Sequence, residues 1–151
     1  MSFLTLTSLS KFYGTQCAVD DMNLSVEKGE FLTLLGPSGC GKTTTLQMIA
    51  GFVEASQGQI FLDGKNITHS PPNTRGLGIV FQSYALFPHM TVSQNVSFGL
   101  EMRRIAKQER ADRVASALAL VHLSELAQRY PRELSGGQRQ RVALALSLIH
   151  I

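Results

Sequence analysis

The chain has 151 residues, 44% hydrophobic and 17% charged, and its 14 basic and 11 acidic side chains leave a net charge of +3. Those proportions belong to a folded globular domain and exclude a disordered tail or a low-complexity linker. The longest apolar stretch, residues 142–149 with Ser147 inside it, is far short of the ~20 residues that a membrane-spanning helix needs.

The first forty residues read as β structure. Residues 3–9 and 22–26 alternate apolar and polar, as half-buried strands do, and 27–30 make a polar turn. Residues 31–35 are almost continuously apolar, the pattern of a strand buried on both faces. A glycine-rich loop follows directly. Residues 42–50 then read as a helix that Gly51 stops. A strand at 58–62 ends in the tight turn Asp63-Gly64, and 77–81 is a second buried-strand candidate. Helical periodicity takes over beyond Gln82, at 91–100, 107–121 and 124–128. Tyr130-Pro131 breaks it, and a last helix starts near Gly136 with Ser135 as its N-cap. Strands first, helices later and a strand–loop–helix unit at the join predict an α/β domain with a helical insertion.

The basic pairs Arg103-Arg104 and Arg139/Arg141 read as solvated helix faces, so no nucleic-acid partner is expected. Cys17 and Cys40 form no CxxC pair and read as reduced cytosolic thiols. His69, His89, His122 and His150 show no metal-ligand spacing. No leader peptide is evident at the N-terminus, and a cytoplasmic location is expected.

The loop Gly36-Pro37-Ser38-Gly39-Cys40-Gly41-Lys42-Thr43 fits G-x-x-x-x-G-K-[ST] between a predicted strand and a predicted helix. Glycines let backbone N–H groups converge on phosphate oxygens, and the helix N-terminus adds partial positive charge. Lys42 is placed to reach the β- and γ-phosphates, and the Thr43 hydroxyl to ligate Mg²⁺. ATP or GTP binding follows from these residues. Ser135-Gly136-Gly137 offers a weaker anion site, a serine-capped helix start with unobstructed N–H groups.

The chain resembles the ATP-binding subunits of ABC transporters over nearly its whole length. The resemblance is carried by Tyr13 in KFYG, by GPSGCGKT at 36–43, by IVFQSYALFPHMTV at 79–92 and by LSGGQRQRVALA at 134–145. The wording of the third stretch is similar to importer ATPases, nearest the spermidine/putrescine-like group. The resemblance implies a P-loop NTPase fold with an N-terminal antiparallel β subdomain, and ATP with Mg²⁺ as ligands. It implies stacking of Tyr13 on adenine and phosphate binding by Gly36, Pro37, Ser38, Gly39, Cys40, Gly41, Lys42, Thr43 and Thr44. It further implies that Thr43 and Gln82 serve the metal, Gln82 also sensing the attacking water, and that Lys42 serves catalysis. Ser135, Gly136, Gly137 and Gln138 would bind nucleotide held by a second subunit in a head-to-tail dimer. Residues 83–96, with Leu86, Phe87, Pro88 and Met90, would receive a transmembrane permease. A solute-binding protein would take part indirectly, and the subunit would sit on the cytoplasmic face of the membrane.

On this basis one ABC ATP-binding domain is expected over 1–151. It comprises a β subdomain and P-loop core (1–82), a helical subdomain (83–135) and a signature helix (136–145). Residues 146–151 coincide with the translation of a transposon end used in sequencing libraries and are expected to be read-through. The Walker B carboxylate and switch histidine of the family have no counterpart, and His150 falls too early to serve as the latter. The 151-residue chain is therefore expected to be poorly soluble and inactive alone. Two other functions stand beside solute import: a soluble ABC ATPase acting on DNA or ribosomes, and a non-hydrolytic nucleotide-binding fragment.

Overall fold

The computed structural model describes residues 2–149, in two compact units divided between Leu77 and Gly78. His150 and Ile151, at the end of the suspected read-through, lie outside the described residues.

The first unit is a four-stranded antiparallel sheet with one helix. Strands β1 (Ser2–Tyr13), β2 (Gln16–Glu27), β3 (Gln57–Leu62) and β4 (Lys65–Asn66) pair in the order β2-β1-β3-β4. β1 and β2 are one long hairpin, Leu4 opposite Val26 and Tyr13 opposite Gln16. Its ladder is interrupted between Leu6 and Leu9, where Ser8 takes φ 46°. Side chains satisfy the freed amides there. Ser8 N–H donates to Asn23 Oδ1 at 2.8 Å and Asp21 N–H donates to Ser10 Oγ at 2.9 Å. The β3–β4 turn has Asp63 at φ 48° and Gly64 at φ 76°, the two positive φ values of a type I′ turn. Leu6, Leu9, Val19, Met48, Ile60 and Ile67 are buried as this unit's core, Met48 coming from helix α1 (Lys42–Ala50).

The expected strands at 31–35 and 77–81 are not formed. Both runs are irregular, and Phe31 and Leu35 are 92% and 88% exposed. Among the described residues no segment pairs with either run, and a strand without a ladder partner has nothing to hold its extended backbone.

The second unit is helical. Helices α2 (Val92–Met102), α3 (Lys107–Leu120) and α4 (Gly136–Leu148) enclose Val92, Val96, Leu100, Val114, Leu118, Leu123, Leu134, Val142 and Ala145. The stretch predicted helical at 124–128 is only a 3-10 turn at Ser124–Leu126. α4 continues past Ala145 to Leu148, into the suspected read-through. Thr91 caps α2 reciprocally with Gln94: its Oγ1 accepts from Gln94 N–H at 3.2 Å, and Gln94 Oε1 accepts from Thr91 N–H at 2.8 Å.

Candidate nucleotide-binding site

Helix α1 opens directly out of the glycine loop. Its N-cap is Gly41 at φ 91°, and a Cβ there would lie 2.4 Å from the Ala18 carbonyl oxygen and 3.0 Å from Val19 Cγ2. Glycine is required at this position twice over, by dihedral and by space. The loop is thereby pressed against β2, and α1 starts close to the sheet. Thr45 anchors the same turn from inside, its buried Oγ1 donating to the Gly41 carbonyl at 2.8 Å.

The first N–H groups of α1, on Lys42, Thr43 and Thr44, have no intrahelical acceptor by helix geometry. Gly41 makes no side-chain cap, so that end stays open to an anion. Lys42 lies back across the loop. Its ammonium donates to the Gly36 and Pro37 carbonyl oxygens and, at 3.2 Å, to Cys40 Sγ. This hydrogen bond holds the exposed Cys40 thiol below the ordinary thiol range. A shallow cavity of about 490 Å³ opens beside the loop, lined by Val19, Thr33, Leu35, Cys40, Lys42 and Thr45 among others. Thr43 is exposed at the head of the helix. Tyr13 ends β1, half exposed, with Lys11 Nζ 5.1 Å from its ring centroid.

The far end of α1 is held by a residue that sequence reading passed over. Arg75 is 6% exposed, and its guanidinium donates to Met48 O at 2.8 Å, Ile49 O at 2.9 Å, Ser70 O at 2.8 Å and Thr68 O at 3.1 Å. It caps the C-terminus of α1 with a full positive charge at the negative end of the helix. Gly51 leaves room for it, since a Cβ there would stand 2.6 Å from Arg75 Nε. An arginine just after Pro71-Pro72 resembles a solvated loop cation, so no local pattern marked it.

In the helical unit, Ser135 and Gln138 form a reciprocal cap on α4. Ser135 Oγ accepts from Gln138 N–H at 3.2 Å, and Gln138 Oε1 accepts from Ser135 N–H at 2.9 Å. The serine hydroxyl keeps its own proton to donate, because the helix amide uses only a lone pair. A Cβ added at Gly136 or Gly137 would meet nothing within 4 Å. The chain's own packing therefore does not require glycine at either place. Gln82 lies exposed in an irregular turn at the start of this unit, and the turn is closed by Tyr84 N–H donating to Phe81 O at 2.9 Å. Among the described residues no group of three His, Cys, Asp or Glu side chains is placed to hold a metal by itself.

A glycine loop capping a helix against an antiparallel sheet, joined in sequence to a helical segment with a serine-capped double glycine, defines a P-loop ATPase domain. The chain belongs to the ABC transporter family, whose model matches residues 19–150. Relatives extend the likeness to nearly the whole chain. It is 52% identical over 147 residues to the spermidine/putrescine import ATP-binding protein PotA of Mannheimia succiniciproducens, covering 97% of this chain and 39% of that protein. It is 56% identical over 145 residues to the putrescine transport ATP-binding protein PotG of Escherichia coli K12, covering 96% and 38%. A PotA from Nitrosomonas eutropha is 54% identical over 150 residues, covering 99% and 41%. The chain thus spans 38–41% of the length of these curated relatives.

Proposed function

We propose that the protein to which this chain belongs is the ATP-binding and ATP-hydrolysing subunit of an importer for polyamines or a related small solute. The observation that carries the nucleotide-binding part is the open, glycine-capped N-terminus of α1 with Lys42 folded across it, and the importer part is supported by the likeness to PotA and PotG. Backbone N–H groups and one ammonium at that spot fit a polyphosphate. When bound, Mg·ATP supplies the transferable phosphoryl group and the charge that these donors recognise.

The chain's own residues divide the work. Gly36, Pro37, Ser38, Gly39, Cys40 and Gly41 form the cradle, and Thr44 adds its amide. Lys42 exchanges its present carbonyl partners for phosphate oxygens. Thr43 presents its hydroxyl to Mg²⁺, Tyr13 offers a flat face to adenine, and Gln82 serves the metal and water. In a head-to-tail dimer, Ser135 donates its free hydroxyl proton to nucleotide on the second subunit, while Gly136 and Gly137 supply amides unobstructed by a Cβ. Gln138 acts chiefly by holding Ser135 in place. Residues 83–96 receive the permease, which keeps the subunit on the cytoplasmic face of the membrane, and a solute-binding protein delivers the cargo. No helix among the described residues is long and apolar enough to cross a membrane.

Titration with a fluorescent ATP analogue, with and without Mg²⁺, tests the nucleotide site. Saturable binding that Lys42→Ala weakens is the expected result. Binding indifferent to Lys42→Ala overturns it.

A further inference from the structure

The stretch between Gln82 and α2 has no ladder and no helix, yet one side chain bonds four of its backbone groups. Asn95, on the first turns of α2, is 0% exposed. Its Oδ1 accepts from Phe87 N–H at 2.8 Å. Its Nδ2 donates to Phe87 O at 3.1 Å, Met90 O at 3.1 Å and Thr91 O at 3.0 Å. Met90 N–H closes the turn on Phe87 O at 3.2 Å. The carboxamide both accepts and donates here, which an ionised carboxylate or an ammonium of similar reach cannot do. A buried amide with every hydrogen bond made gives a loop one conformation where it would otherwise have many.

That conformation has a particular outer surface. Phe87 is pinned from below by Phe98, one turn along α2 from Asn95, with ring centroids 4.8 Å apart. His89 meets the Phe87 ring edge-on at 5.9 Å. Phe87, Pro88 and His89 are all exposed, so an aromatic and proline ledge projects from a backbone that Asn95 has locked. The N-terminus of α2 is not free to bind an anion, because Val92 N–H and Ser93 N–H already donate to the Arg129 and Ala127 carbonyls at 2.8 Å. What the ledge offers a partner is apolar contact and shape.

We propose that Asn95 is a positioning residue for permease docking: its carboxamide preforms the Phe87–His89 ledge, so the partner helix meets a rigid surface and avoids the ordering cost of a mobile loop. This rests on residues 83–96 being the receiving surface for the permease. Preorganisation of this kind acts on the bound assembly more than on the subunit alone.

The test uses the full-length protein reconstituted with its permease. The readout is the ratio of ATP turnover in the assembly to turnover of the free subunit. In Asn95→Ala, and in Asn95→Asp, which keeps the acceptor for Phe87 N–H but loses the donors, the ratio should fall about tenfold. Amide exchange over α3 reports that the helical unit remains folded, and exchange at Phe87 reports the loss of the clamp. A merely structural role would lower both turnovers together and leave the ratio unchanged. An unchanged ratio with Phe87 exchange accelerated overturns the proposal, and if Asn95→Ala does not fold, Asn95→Asp decides by the same ratio. Phe87→Glu separates the two levels. If it leaves the ratio intact, the docking reading itself fails. If it abolishes stimulation while the Asn95 variants do not, only the role of Asn95 fails.

Discussion

Arg75 donates from Nη1 to the Met48 carbonyl at 2.8 Å, joining a loop to the last turn of the P-loop helix across 27 positions of sequence. The same guanidinium closes on three further carbonyls, those of Ile49, Ser70 and Thr68. Burial draws its pKa below the ordinary arginine value, yet a guanidinium stays protonated at any physiological pH. Arg75→Met removes the guanidinium's hydrogen bonds to those four carbonyls and should lower stability by about 2–4 kcal/mol in a urea titration followed by circular dichroism. Arg75→Lys, with a point charge and no planar fork, should fall between the two. Equal midpoints for all three proteins would remove Arg75 from the account of α1.

Gly41→Ala tests the other end of the same helix. The new methyl would have to share space with the Ala18 carbonyl while the backbone keeps φ near 91°. A cost of about 2 kcal/mol or more is expected, with ATP affinity falling further than stability alone accounts for. Nucleotide binding at wild-type strength in a folded Gly41→Ala protein would mean that the loop can relax away from β2.

Cys40 and Lys42 make a reporter of the site. Because Lys42 donates to Cys40 Sγ, the thiol is held below its ordinary pKa, so thiolate persists to lower pH than in a free cysteine at about 8.5. In a Cys17→Ser background, alkylation by iodoacetamide should reach its plateau at lower pH than for glutathione. Lys42→Met should move the profile upward in pH. Superimposable profiles would show that the contact is not kept in solution. ATP should slow the reaction, by drawing Lys42 away and covering the loop.

Ser135 separates helix capping from anion recognition. Ser135→Ala loses the cap and should cost about 1 kcal/mol, while Ser135→Asp caps as well as serine. Both variants should fail to form ATP-dependent dimers in sedimentation experiments, Ser135→Asp because its carboxylate repels phosphate. Dimerisation of Ser135→Asp at wild-type ATP concentration would leave Ser135 a structural cap only.

Much of this was legible in the linear chain. The turn residues Asp63-Gly64, the helix stop at Gly51 and the serine before Gly136 all act through bonds a few residues long, and the structure realises each of them. The runs at 31–35 and 77–81 were misread for the opposite reason. An apolar composition says that a segment suits a sheet interior, but only a neighbouring strand supplies the hydrogen bonds, and none of the described residues does so. Phe31 accordingly stands exposed where a buried strand was expected. Arg75 and Asn95 were missed because their meaning lies in carbonyls distributed over other segments.

The sequence by itself determined the family and the motif that addresses phosphate, since Gly36 to Thr43 and Leu134 to Gln138 are contiguous and recognisable letter by letter. Tertiary structure alone decided how that motif is held: α1 clamped between the sheet at Gly41 and a buried guanidinium at Met48, and the loop before α2 tied to one amide. Local signals depend on dihedral preference and short hydrogen bonds, which composition encodes directly. A buried Arg75 or Asn95 is satisfied only when the chain has folded its acceptors into place.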